Sequence, residues 1–394
     1  MDFRVFILAI STITVGLVEL IVGGILPVIA DDLNVSIGTA GQLITVYALV
    51  YAVAGPVLLS LTAKIERKKL YLITMSIFLL GNVMTFFSPT FSLVMIARVI
   101  TSMSAALLIV LSLTITARIV EAPQRAKALG YIYMGISSSL VLGVPLGILI
   151  TNAFGWRMVF IGIAILSIGS FILISVFLQK IPTGEVQPLS AQLKALGNKK
   201  IVFAHFATMF MLAGHYTVYA YFTPFLETNL QLNQYWISIC YFLFGIAAVS
   251  GGAFGGGLAS WIGSRKSILV VLGTFAISLF VLPYTTFSFP FFIVFMMIWG
   301  GLSWALAPPL QDYIIETDPV SSDIHQSFNN SALQVGIAIG SGIGGAVLSH
   351  TDSVNSTATV GGAVVVIGFL CAVISLSMGR NKAKRGQEKS VEIQ

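Results

Sequence analysis

Charge is what this sequence has least of. Only 9% of its 394 residues are charged and 57% are hydrophobic, whereas an average soluble protein carries about 25% charged residues. A water-facing surface over most of the chain is thereby excluded. Polar stretches long enough to lie in water are confined to residues 179–200 and 380–394, so no separate soluble domain is expected and function must reside within the apolar runs. Cysteine is nearly absent. Cys240 and Cys371 both fall in apolar runs, which excludes a disulfide framework and suits small packing residues. No nucleophile, base or set of metal ligands clusters at one depth, so neither an enzyme nor a metal centre is expected, and no cofactor. The first apolar run, 3–30, exceeds a signal-peptide core and lacks a small-residue cleavage pattern, so it is expected to remain as a span.

What is present is a series of apolar runs, at about 3–30, 39–63, 70–88, 91–117, 126–153, 158–178, 201–226, 235–262, 267–284, 289–315, 324–348 and 360–378. They predict an all-α polytopic membrane protein with twelve transmembrane helices. With the N-terminus inside, all but two of the 21 Lys and Arg fall in cytoplasmic segments; Arg157 is external and Arg98 intramembrane. That asymmetry is the positive-inside rule, and it requires an even span count with both termini cytoplasmic. The basic runs, including Arg67, Lys68 and Arg265, thus read as topology signals, and nucleic acid is excluded as a partner.

The chain also repeats itself. Leu61-Thr62-Ala63-Lys64-Ile65 before Arg67-Lys68 resembles Leu258-Ala259-Ser260-Trp261-Ile262 before Arg265-Lys266, at an offset of 197 residues. At that offset Gly143, Pro145 and Gly147 fall on Gly340, Gly342 and Gly344. Two six-span halves follow, 1–178 and 201–379, joined by a cytoplasmic linker at 179–200 and followed by a cytoplasmic tail at 380–394. Carriers built from repeats place their substrate near the midplane between them. The glycines allow close helix approach, and Pro145 is expected to bend its span. Gly340, Gly342 and Gly345 satisfy G-x-G-x-x-G, but no strand precedes them, which excludes a dinucleotide site.

The polar residues inside the spans are few. Glu19 is the only ionisable residue of 3–30 after Arg4; at ~1.5 Å per residue it lies near the middle of a ~30 Å hydrocarbon core. Low dielectric penalises its charge, so Glu19 is expected to alternate between protonated and paired states, as a proton-coupled carrier requires. Arg98, deep in the fourth span, needs Glu19 or backbone carbonyls as a partner. His215 shares a helix face with Tyr219 and is a candidate to titrate; His205, beside Lys199 and Lys200, is expected at the interface. Gln326, Asn330 and Gln334 recur at i, i+4 and i+8 of the eleventh span, an amide face suited to a neutral, hydrogen-bonding solute. Tyr216, Tyr219, Tyr221, Trp299 and Trp304 offer flat surfaces. Asp312, Glu316, Asp318 and Asp323 read as a solvated loop.

With these features on view, the chain resembles the major facilitator superfamily, drug:proton antiporter branch. The resemblance rests on the loop Leu61 to Lys69 and its echo, Arg98 in Ala97-Arg98-Val99, and Leu142-Gly143-Val144-Pro145-Leu146-Gly147. Val15-Gly16-Leu17-Val18-Glu19-Leu20, Gly155-Trp156-Arg157 and Ala213-Gly214-His215-Tyr216-Thr217 are similar to bacterial sugar- and purine-efflux members, most of all to exporters of purine bases and nucleosides in Bacillus-type bacteria. The resemblance implies proton-driven purine export from the bacterial cytoplasm by a monomer, with Glu19, Arg98, His215, Tyr219 and Trp299 around a cavity lined by spans one, four, seven and ten. It also departs from the pattern: where the loop after the second span usually carries glycine, aspartate and glycine stand Leu59, Ala63 and Glu66, and Val144 separates Gly143 from Pro145.

Overall fold

The computed structural model describes residues 2–121, 124–182, 197–318, 321–351 and 353–378, with only the backbone for 125–127, 322 and 323. Most of the expected linker, the tail, and the side chains of Arg125, Lys127 and Asp323 lie outside the described residues. Among those described, twelve helices are long and apolar enough to cross a membrane, and they begin and end within a few residues of the apolar runs except at the first and seventh, which end early at Gly24 and Tyr219, and the twelfth, which starts at Val354.

Four spans depart from single straight helices, one of them the tenth, which is Phe289–Ala305 followed by Ala307–Thr317 with Pro308 near the start of the second helix. The first is Phe3–Gly24 followed by the short helix Leu26–Asp32, and the seventh is Lys199–Tyr219 followed by Phe222–Leu230. Pro27 and Pro224 sit just inside the two short helices, 197 residues apart. A proline has no N–H to offer the carbonyl four residues back, so each helix breaks where that bond is missing. The fifth span carries a π-helical turn at Ser139–Gly143, directly before Pro145, which is the same defect accommodated by one widened turn.

Packing divides the helices into two six-helix bundles. The first span lies against the fourth, fifth and sixth, while the seventh lies against the eleventh and twelfth; the halves meet through the second span on the eleventh and the fifth on the eighth. These two interfaces are exchanged by the sequence repeat, as a two-fold arrangement of halves demands.

Arg4, Lys68, Arg118 and Lys200 gather at one end of the bundle, called here the basic end. Arg157, hydrogen-bonded to Asp32 at 2.6 Å and to the Ser88 carbonyl, marks the far end. At the basic end Glu66 caps the third span: its carboxylate accepts from the backbone N–H groups of Lys68, Lys69 and Ile181 at 2.7–2.9 Å. Burial alone would raise its proton affinity, but these donors outweigh it and hold the carboxyl below the usual range. A depressed folded-state affinity stabilises the fold above the unfolded-state pKa and loses that contribution as pH falls through the folded one. Glu66→Ala is therefore expected to lower stability by about 1–2 kcal/mol at neutral pH, seen as a lower unfolding midpoint in detergent, with the difference from wild type shrinking toward acid.

Candidate functional site

Between the halves lies a small cavity of about 140 Å³, below the roughly 300–1,000 Å³ typical of ligand pockets. Its floor, near the helix breaks, is formed by Glu19 and Leu20 of the first span with His215, Tyr216 and Tyr219 of the seventh. From there it runs toward the basic end past Trp304, Leu310, Thr208 and Asn329.

The far end is shut by contacts between the halves. Thr223 Oγ1 donates toward the carbonyls of Gly24 and Gly23 at 3.0 and 3.2 Å. The Gly23 carbonyl is the one that Pro27 leaves without an intrahelical donor, so the break in one half is capped by a hydroxyl of the other. Tyr221 donates to the Ser341 carbonyl at 2.8 Å, its ring lying where Gly41 and Gly344 leave room; it seals the far end instead of facing solute. Thr45 and Ser341 share a hydroxyl contact at 2.8 Å, and Ser238 donates to the Pro145 carbonyl. These contacts close the cavity toward the far end.

Glu19 accepts a 2.9 Å hydrogen bond from Gln334 Nε2, a bond that crosses from one half to the other. The Gln334 amide oxygen, Oε1, is buried without a hydrogen-bond partner among the described residues. Arg98 makes no ion pair with Glu19 among the described residues. Its Nη1 donates to the Val18 carbonyl at 2.7 Å, its Nε reaches the Leu43 carbonyl at 3.4 Å, and its guanidinium lies 4.1 Å over the Tyr47 ring. Of the two partners expected for Arg98, the backbone carbonyls are the ones it has, and it fixes the backbone beside Glu19.

Aromatic rings surround the floor. His215 stacks on Tyr219 at 5.2 Å between centroids and nearly parallel, and Phe244 packs on both. His215 Nδ1 and the Tyr219 hydroxyl are buried without hydrogen-bond partners among the described residues. Trp299, expected at the cavity, is fully buried and stands one layer behind it, 4.9 Å from Phe244 and 5.4 Å from His215; Trp304 is the tryptophan that lines it.

The amide stripe divides by burial. Gln326 and Asn330 are exposed, whereas Asn329 and Gln334 are buried, with Asn329 in the cavity wall. His205, expected at the interface, is buried, and His325, singled out by no sequence argument, is fully buried at the start of the eleventh span. Gly143 and Gly147 leave room for Leu17 and Ile21 of the first span.

Comparison with known proteins now decides the family, because the sequence profile described as Major Facilitator Superfamily matches residues 8–322. The chain belongs to the major facilitator superfamily. Among its relatives is "Uncharacterized MFS-type transporter YbcL" of Bacillus subtilis (strain 168), 33% identical over 372 residues, covering 94% of this chain and 95% of that protein. Another, at 25% identity over 95% of each chain, is named "Probable sugar efflux transporter" of Mannheimia succiniciproducens. The fold matches the crystal structure of a bacterial homologue of the human lysosomal transporter Spinster, solved inward-facing and unoccupied. The TM-score is 0.70 at 15% identity, over 94% of this chain and 95% of that one. As a member of the superfamily the protein is a multi-pass membrane transporter of small molecules, not an enzyme.

Proposed function

We propose that this transporter is a proton-coupled antiporter of the bacterial cell membrane that exports purine bases and nucleosides by alternating access. Its basic end, with both termini, faces the cytoplasm, in keeping with the positive-inside rule, and it acts as a monomer. The observation that carries the reading is the Glu19–Gln334 bond, formed between the halves at the floor of an aromatic-walled cavity. An ionised Glu19 accepts from Gln334; a protonated one becomes a donor and must rearrange that bond. One carboxylate thereby senses both the proton and the relative position of the halves. Arg98 holds the backbone next to it, and the gating glycines Gly143 and Gly147 with Pro145 let the first span shift against the fifth.

Stacked His215 and Tyr219, with Asn329 and Gln334 nearby, supply flat faces and uncharged hydrogen-bonding groups, the chemistry that a purine offers in return. Competition in proteoliposomes tests this. Hypoxanthine, adenine and guanine and their nucleosides are expected to displace labelled hypoxanthine, and sugars and cationic dyes to leave it bound. The opposite order would favour a sugar or general drug exporter, the reading to which the Mannheimia relative's name points. Stacking on an aromatic ring contributes about 1–3 kcal/mol per base, so Tyr219→Ala should raise the KM for hypoxanthine roughly tenfold, measured as initial counterflow rates.

A further inference from the structure

A second group of titratable residues lies away from the cavity floor, in the C-terminal half at the basic end. His325 is fully buried, and its Nε2 is 3.1 Å from the Asp318 carboxylate, which reaches the surface. His205 is buried on the seventh span, and its Nδ1 is 3.3 Å from Asn329 Oδ1. The two rings stand 5.9 Å apart between centroids. A carboxylate and an amide oxygen only accept, so the nitrogens facing them carry the protons. The nitrogens left over, His205 Nε2 and His325 Nδ1, are then bare acceptors, and both are buried without a hydrogen-bond partner among the described residues. Two adjacent buried rings, each with an unused lone pair and one of them backed by a carboxylate, are built to take up a proton.

We propose that His205 and His325 form a second proton-binding site that takes up one proton on the pair, on one ring or the other, balanced by Asp318. The proton arrives from water at the basic end. It leaves one imidazolium and one imidazole, and because the rings are neighbours the second proton is repelled. The effect reaches the cavity through Asn329, whose Oδ1 also accepts from Thr208 Oγ1 at 2.8 Å; both Asn329 and Thr208 line the cavity wall. A charged His205 donates more strongly to Asn329, drawing the eleventh span toward the seventh.

The neighbouring charges are engaged elsewhere. Lys200 Nζ lies 4.8 Å over the Tyr313 ring, with Arg265 and Glu316 near it, and Asp312 accepts from Ser264. The twelfth span brings only Cys371, and the second only Tyr47 and Tyr51.

The full chain, labelled with 15N-histidine in lipid nanodiscs, tests the site without any substrate. The sequence has four histidines, which single His→Gln variants assign. His205 and His325 are expected to take up protons in two coupled steps, not independently. His325→Gln should move the His205 midpoint by roughly one pH unit, and Asp318→Asn, which keeps both rings, should weaken the first protonation roughly threefold to tenfold. Independent single-step titrations, a His205 midpoint unmoved by His325→Gln, or two rings still neutral at pH 5 would each overturn the proposal. None of these outcomes bears on Glu19 or on purine export.

Discussion

Joining Thr45→Cys to Ser341→Cys as a disulfide is expected to abolish transport, and reducing the bond to restore it. The two native hydroxyls are 2.8 Å apart, on the second and eleventh spans near the far end, and a disulfide needs Cβ atoms within roughly 3.5–4.5 Å. Both replacements are close to isosteric, so the reduced double variant should transport normally. Alternating access requires these helices to part when the far end opens. A covalent bond holds the far end shut, so turnover in the oxidised sample is expected to fall by at least about 100-fold. Native Cys240 and Cys371 are buried within the C-terminal half, away from the introduced pair. The check is labelled-hypoxanthine counterflow in oxidised and reduced proteoliposomes; an oxidised sample that transports at the reduced rate would show that the halves do not rock at this interface.

The second large effect is expected from Glu19→Gln. A membrane potential of about 100 mV supplies about 2.3 kcal/mol per proton, and one pH unit about 1.4 more. One exchanged proton therefore sustains a roughly 500-fold gradient of a neutral solute. Glutamine keeps the size of Glu19 and can still bond Gln334, but it cannot take a proton. The variant should bind solute and equilibrate it downhill while its uphill accumulation ratio falls to about one. A Glu19→Gln protein that still concentrates hypoxanthine against its gradient would move the coupling to another residue.

How much of this was legible in the sequence differs from feature to feature. The spans and the repeat were plain, because apolar length and the placement of Lys and Arg are properties of single segments. Glu19 stood out for the same reason, being an acid alone in a run of apolar side chains. The helix breaks leave a sign as well: Pro27 and Pro224 are repeat mates, and the offset that pairs the glycines also pairs them. What the sequence did not yield were relations between distant segments. His205 and His325 are 120 residues apart, and nothing local shows that the seventh and eleventh spans bring them together. Asn329 and Asn330 are adjacent, and only the rotation of the eleventh span against the seventh decides that Asn329 faces the cavity while Asn330 is exposed. Trp299 fell behind the wall for a similar reason, since Phe244 of the eighth span takes the place in front of it.

If proton and solute compete for one state of Glu19, solute binding must release a proton. Purified protein in weakly buffered detergent solution, held at a pH where Glu19 is protonated, is mixed with saturating hypoxanthine while a pH dye is followed. The account predicts about one proton released per molecule bound, and none from Glu19→Gln. Tight binding to the wild-type protein with no proton released at any pH would contradict it.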